Sequence, residues 1–302
     1  MRQTHAFREI LSRDDCTAAV GAHDPTVAKL IEQAGFEVIC ASGSSTAAVI
    51  AGLPDVGLVS FTEMLTHAHN IIAATSLPVF CDADTGFGNL TNVKRTVREY
   101  ESAGAAGLFI EDQVFPKRCG QTEGAECIST REMQSKIFAA KETQSDDDFV
   151  LVARTDGRSA EGLEGAISRS VAYAHAGADA ILPIGLQNDA EFRALRAAVE
   201  VPLITDIPEW GRAPTLTLDE LRSVGFQLGV FAVSAMRVSL HAVSAFLRDL
   251  RDDGTQIPWL DRMMTRAELD AVLDLPGVRS EEVRLTELAP DDGAGDSRAA
   301  RG

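Results

Sequence analysis

The segment TAAVGAHDPTVAKLIEQAGFEVICA, Thr17 to Ala41, contains the repeating unit of the fold. A short apolar run at 17–21 gives way to Asp24 and Pro25, an N-cap residue followed by proline at the first helical position. The helical pattern closes on Gly35, and a second apolar run follows at 37–41. Strand, helix, glycine, strand is the grammar of parallel α/β structure. It returns along the chain. Further β-rich runs lie near 78–82, 107–110, 149–153, 179–183, 202–205 and 227–231, and helical segments between them end on Gly104 and Gly177. Together these give about eight strands, the number in a (β/α)8 barrel. An open doubly wound sheet is the alternative, but the turn GAHDPT after the first strand is not the GxGxxG expected there.

Past residue 252 the alternation stops. IPWLDRMMTRAELDAVLDL reads as one or two more amphipathic helices, suited to packing on the barrel or on a neighbouring subunit. The tail APDDGAGDSRAARG has almost no apolar anchor and reads as disordered. The expected organisation is one barrel domain with C-terminal helices over 1–285 and a disordered tail over 286–302.

Composition narrows the function. The 302 residues carry a net charge of −17 with no basic stripe, which argues against a nucleic-acid binder. No apolar run approaches the roughly 20 residues of a membrane span, and the N-terminus has no signal-peptide pattern. The five cysteines are scattered and odd in number, as for free thiols in a reducing cytoplasm. In so acidic a chain, an anionic substrate needs locally concentrated cations.

In such barrels chemistry gathers at the C-terminal ends of the strands. PVFCDADTGFGN, Pro78 to Asn89, ends a buried strand in paired aspartates, Asp82 and Asp84. Glu111 and Asp112 follow the fourth strand, Arg154 and Asp156 the fifth, Asp206 and Glu209 the seventh, and Asp55 lies in the loop after the second. Converging carboxylates repel unless some are protonated or a cation sits among them. Oxygen ligands without a His or Cys cluster point to Mg2+, with Mn2+ possible, rather than zinc. The competing structural role is that one of the paired aspartates caps the following helix, a role that Asp84 alone could fill but the two aspartates together with Glu111 could not. The long loop EDQVFPKRCGQTEGAECIST carries Cys119 among Lys117, Arg118 and Gly120, and reads as a lid bearing an accessible, reactive thiol. Cys127 fits an incidental thiol better. His67 and His69 read as exposed or structural, and His23 as a residue able to reach the mouth.

These pieces resemble the isocitrate lyase and phosphoenolpyruvate mutase superfamily, and within it the methylisocitrate lyase and carboxyphosphonoenolpyruvate mutase branch. The resemblance rests on SGSSTAAVIAGLPDVG, DADTGFGN, GLFIEDQVFPKRCG, DFVLVARTDGR, GADAILP and TLDELRSVGF, and it covers nearly the whole body of the chain. It implies a homo-oligomer, a dimer of dimers with C-terminal helices exchanged between subunits, and a small carboxylate substrate whose 2-oxo acid end is chelated to Mg2+. It further implies that Asp82 contacts the metal while Asp55, Asp84 and Glu111 hold it through water. Arg154 and the stretch Ser42, Gly43, Ser44 match the groups that receive the oxo acid carboxylate. Cys119 matches the general acid of the lyases, carried with Lys117 and Arg118 on a gating loop. The implied reaction is retro-aldol cleavage of a 2-hydroxy acid.

Five positions depart from the family lyases. Gln121 replaces a histidine in KRCGQ, Ile184 a glutamate, Asp206 and Pro208 an amide and a hydroxyl, and Cys40 a tyrosine. Asp206 would repel a second substrate carboxylate, and Pro208 offers it no donor. The resemblance therefore implies a carbon–carbon lyase with a conserved metal end and a changed far end. The alternatives are a phosphonate enzyme, an oxaloacetate hydrolase-like enzyme, and a barrel that binds a metabolite without turnover.

Overall fold

The computed structural model describes residues 2–120, 124, 126–211 and 213–288. The chain divides into two compact units, 1–247 and 248–302. The first contains β1 (Thr17–Gly21), β2 (Val38–Ala41), β3 (Val79–Asp82), β4 (Gly107–Glu111), β5 (Val150–Thr155), β6 (Ala180–Pro183), β7 (Ile204–Asp206) and β8 (Leu228–Phe231). All neighbours pair in parallel, in the order β6-β5-β4-β3-β2-β1-β8-β7. A parallel bridge from Ile181 to Leu203 links the two ends, so the sheet closes as the (β/α)8 barrel expected from the repeat.

Helix α1 (Gln3–Leu11) precedes the barrel. Between strands lie α2 (Pro25–Gln33), α3 (Gly43–Thr46), α4 (Phe61–Ala73), α5 (Leu90–Ser102), α6 (Thr130–Thr143), α7 (Gly157–His175), α8 (Asp189–Ala198) and α9 (Leu218–Ser223). Helix α10 (Ser234–Asp253) follows β8. The local signals act as read from the sequence. The Asp24 carboxylate accepts the Val27 N–H at 2.9 Å and caps α2. Gly35, with φ of 84°, takes the left-handed conformation past its end.

Strand residues alternate between two hydrophobic layers. Ile39, Val79, Cys81, Leu108, Ile110, Leu151 and Ala153 face the helices. Val38, Cys40, Phe80, Phe109, Val152, Leu182, Ile204 and Val230 fill the barrel. Helix α1 plugs that interior from the other end, with Phe7 stacked on Phe80 at 5.3 Å.

The second unit holds the end of α10, a 3-10 turn at Ile257–Arg262, α11 (Arg266–Val272) and α12 (Leu275–Leu288). Trp259 Nε1 donates to Asp249 at 2.8 Å, and the Arg262 guanidinium lies 4.9 Å over the Trp259 ring. Only Val272 is buried among the described residues of this unit. Of the tail expected to be disordered, 286–288 form the last turn of α12, and 289–302 lie outside the described residues.

Barrel closure is tightest at Gly21, where a Cβ would run into the Ala232 carbonyl. Gly21→Ala should therefore destabilise the protein by about 2 kcal/mol or more. The urea midpoint reports this, and an unchanged midpoint would mean that the chain around β1 re-spaces freely.

Candidate active site

Side chains alternate faces along a strand, so the inward layer dictates what stands at the mouth. Two residues beyond inward-facing Cys40 comes Ser42. Beyond Phe80 comes Asp82, beyond Phe109 Glu111, and beyond Val152 Arg154. Beyond Leu182 comes Ile184, and beyond Ile204 Asp206. Strand parity therefore sets the site. Ser42, Asp82, Arg154, Ile184 and Asp206 line one cavity of about 130 Å3, joined by Ser44, Asp55, Cys119 and Gly120.

The acidic side is crowded. Asp82 is 5% exposed, and its carboxylate accepts the Gly43 N–H at 3.0 Å and the Asp84 N–H at 2.9 Å. Gly43 thus gives its N–H to Asp82, and a Cβ there would stand 2.7 Å from the same oxygen. Asp84 sits at φ of 45°, a left-handed conformation that aspartate tolerates better than most residues. It does not cap the next helix. Asn89 does, accepting the Thr91 and Asn92 N–H groups. The Lys117 ammonium, 2% exposed, pairs with Asp55 and, at 2.7 Å, with Asp84. Arg154 pairs with Glu111 at 3.0 Å and donates to both oxygens of Asp156 at 3.1 and 3.2 Å.

The carboxylates of Asp55, Asp82, Asp84, Glu111 and Asp156 thus outnumber the cations Lys117 and Arg154. Burial, and then Asp82, push the Asp84 carboxyl up to about 6 despite Lys117. Burial pushes Glu111 well up against the pull of Arg154 and Lys117, and among the described residues its Oε1 has no hydrogen-bond donor. For Lys117 burial pulls downward, but Asp82, Asp84, Glu111 and Asp55 outweigh it and keep the ammonium charged. Surplus buried negative charge and an orphaned carboxylate oxygen fit a hard divalent cation. Among the described residues no three His, Cys, Asp or Glu side chains converge on one point. Mg2+ does not require that, because it keeps several of its waters.

Cys119 is half-buried and faces this cavity, whereas Arg118 is exposed and lines a neighbouring pocket with Val114, Phe115 and Glu126. Gly120 lies so close to Arg154, Asp156 and Ile184 that a Cβ would fall within 2.9 Å of each. Gln121 lies outside the described residues. The loop's two stems pair through a Gln113–Cys127 antiparallel bridge, so Cys127 is a structural thiol beside Asp112. His23 is buried but does not line the cavity, and His67 contacts its backbone carbonyl at 2.9 Å.

The far side of the cavity carries the apolar Leu182, Ile184, Ile207, Pro208 and Val230 together with Asp206, Glu209 and Arg237. One of its polar residues, Arg237, was not singled out from the sequence. Arg237 on α10 stacks on Trp210 at 5.3 Å and pairs with Glu209 at 3.6 Å, and Ser234 donates to Glu209 at 2.6 Å. A survey of strand ends that stops at the seventh misses Arg237, which follows the eighth. Asp156 was visible in ARTDGR, but its bidentate hold on Arg154 was not.

A closed parallel barrel with cations, buried carboxylates and a loop-borne thiol at its C-terminal mouth has the layout of an enzyme active site. The model of the phosphoenolpyruvate phosphomutase family matches residues 7–251, and the chain belongs to that family. It is 41% identical over 283 residues to 2-methylisocitrate lyase of Aeropyrum pernix, covering 94% of this chain and 90% of that one. It is 38% identical over 282 residues to 2,3-dimethylmalate lyase of Eubacterium barkeri, covering 93% and 98%. Among solved structures, a phosphonopyruvate hydrolase in complex with oxalate and Mg2+ superposes with a TM-score of 0.86 at 32% identity, covering 95% of this chain and 100% of that one. These relatives make the chain a carbon–carbon lyase of the isocitrate lyase and phosphoenolpyruvate mutase superfamily.

Asp84 holds a proton more tightly folded than unfolded, so its contribution to stability declines as pH rises from about 4 to about 6 and stays low above that. Asp84→Asn should remove this slope and stabilise the metal-free protein at pH 8, on the order of 2 kcal/mol. Urea unfolding in EDTA at pH 5 and pH 8 decides it. A less stable variant at pH 8 would mean that the Lys117 pair outweighs burial.

Proposed function

We propose that this chain is a Mg2+-dependent lyase that cleaves a 2-hydroxy acid by retro-aldol chemistry, releasing a 2-oxo acid and a fragment that is apolar apart from its one carboxylate. The observation that carries this reading is the two-sidedness of the cavity. Ser42, Asp82 and Arg154 stand at one side, and Leu182, Ile184 and Pro208 at the other.

Asp82, with Asp55, Asp84 and Glu111 behind water, would hold the metal, which when bound supplies Lewis-acid stabilisation of negative charge on the 2-oxygen. The Arg154 guanidinium, fixed by Glu111 and Asp156, receives the carboxylate next to the hydroxyl carbon. Lys117 stays protonated and offsets the charge of Asp55 and Asp84. As one of the carboxylates at the mouth takes the hydroxyl proton and the C2–C3 bond breaks, C3 becomes a carbanion delocalised into its own carboxylate. That carboxylate needs a cation, and among the described cavity residues the cation besides Arg154 is Arg237. The Cys119 thiol then gives its proton to C3. Cys40 is fully buried, its thiol pushed well up by burial and by Asp82, so it stays protonated.

The far side favours an alkyl substituent on C3. A second carboxylate there would meet Ile184, Pro208 and the Asp206 carboxylate. Alkyl-substituted malates fit, and tricarboxylates do not. With Mg2+, turnover of 2,3-dimethylmalate should exceed that of 2-methylisocitrate by about a hundredfold or more, following the several kcal/mol that a charge in this site would cost. Chelation with EDTA should abolish turnover. Cys119→Ser should lower it about 10²- to 10⁴-fold, because a hydroxyl is a far weaker acid. Release of pyruvate gives the readout. Faster turnover of 2-methylisocitrate, or turnover confined to phosphonopyruvate or oxaloacetate, would overturn the reading.

We further propose that the chain works as a homo-oligomer. A C-terminal unit with Val272 as its one buried residue among those described lacks a core of its own, while Leu260, Val278, Val283 and Leu285 are exposed. The mass in solution should be a multiple of 32.3 kDa. A monomer by light scattering would refute this.

A further inference from the structure

Cys119 and Lys117 work only if the loop holds both at the mouth at once, and strand parity does not reach that far. Gln113, two residues beyond the end of β4 and 1% exposed, supplies the hold. Its side-chain Nε2 donates to the Arg118 carbonyl at 2.9 Å, and its Oε1 accepts the Arg118 N–H at 2.8 Å. The amide thus pairs with both backbone groups of one residue, as a neighbouring strand would. Where side chains alternate as along a strand, the two residues flanking one share a face, opposite to its own side chain. Arg118 is exposed, while Lys117 is buried against Asp55 and Asp84, and Cys119 lines the cavity. Fixing the Arg118 backbone therefore fixes both reactive neighbours. Gln113 is itself anchored, because its backbone bridges Cys127 while Val114 N–H donates to the Glu126 carbonyl at 2.7 Å and Ile128 N–H to that of Asp112 at 2.8 Å.

We propose that Gln113 is a positioning residue, a two-point clamp that holds Lys117 and Cys119 in place over the cavity. The inference rests on the reading of those two residues as parts of the reaction site. The chemistry calls for glutamine. A glutamate has no proton to give the Arg118 carbonyl and would face it with a charge, and asparagine is one methylene too short.

The test uses the full chain as wild type, Gln113→Met, which keeps the buried volume but removes both hydrogen bonds, and Gln113→Glu. The rate of Cys119 alkylation by iodoacetamide is followed by peptide mass spectrometry. Cys16, buried at the start of β1, serves as the internal reporter of global opening. Loss of both hydrogen bonds in Gln113→Met, and in Gln113→Glu loss of the one to the Arg118 carbonyl with a charge set against it, should accelerate Cys119 alkylation about tenfold or more in each variant. Cys16 should not change, and 2,3-dimethylmalate turnover should fall by a similar factor with a smaller change in KM. Unchanged Cys119 alkylation in both variants would overturn the proposal. So would a rise in Cys16 alkylation in step with Cys119, which would make Gln113 a residue of general stability. Alkylation needs no substrate, so a protein that turned over none of the tested acids would still test the clamp, and that failure would fall on the proposed reaction alone.

Discussion

Asp55, Asp82, Asp84, Glu111 and Asp156 share one mouth, and among the described residues the cations paired directly with this set are Lys117 and Arg154. A buried charge is costly unless paired, and this set cannot be fully paired by the side chains around it. The imbalance shows in the raised carboxyls of Asp84 and Glu111. A divalent cation reduces the surplus, and a substrate anion arriving with it leaves the total nearer neutral than an anion alone would. On the proposed function, metal and substrate would therefore bind together at this site on charge grounds.

The same accounting explains why the two sides of the cavity differ. The acidic side is built on strand ends, where backbone pairing on both flanks holds Asp82 and Arg154 rigid. The opposite side takes Ile184 from the next position of the inward layer and Ile207, Pro208 and Trp210 from the turn after β7. A rigid metal side and a far side made partly from a turn allow the second fragment to vary while the bond-breaking geometry stays fixed.

The repeat in Thr17–Ala41 was enough to place the strands within a residue or two, because capping, closing glycines and buried apolar runs are local signals. Asp82, Asp84, Glu111 and Arg154 were legible for a related reason, since each is a charge directly after a buried strand. Arg237 was not, because it lies inside an amphipathic helix where an arginine is ordinary. Nor was the role of Gln113. Its two partners are the N–H and C=O of Arg118, and backbone groups carry no residue identity in the sequence. Arg118, read from the sequence as a companion of Cys119, turns outward because residues on either side of it turn inward.

The division of labour between strands and loop also constrains the order of events. In the proposed reaction, polarisation of the hydroxyl end falls to Asp82 and Arg154, which the barrel fixes regardless of the loop. Protonation of the second fragment falls to Cys119, whose neighbour Gly120 is seated on Arg154, Asp156 and Ile184. A side chain at 120 would clash with all three, so glycine at that position is a steric requirement of the loop's seat beside the cavity. Bond breaking and proton delivery thus depend on different elements of the fold, and a carbanion formed with the loop raised would meet water in place of the thiol.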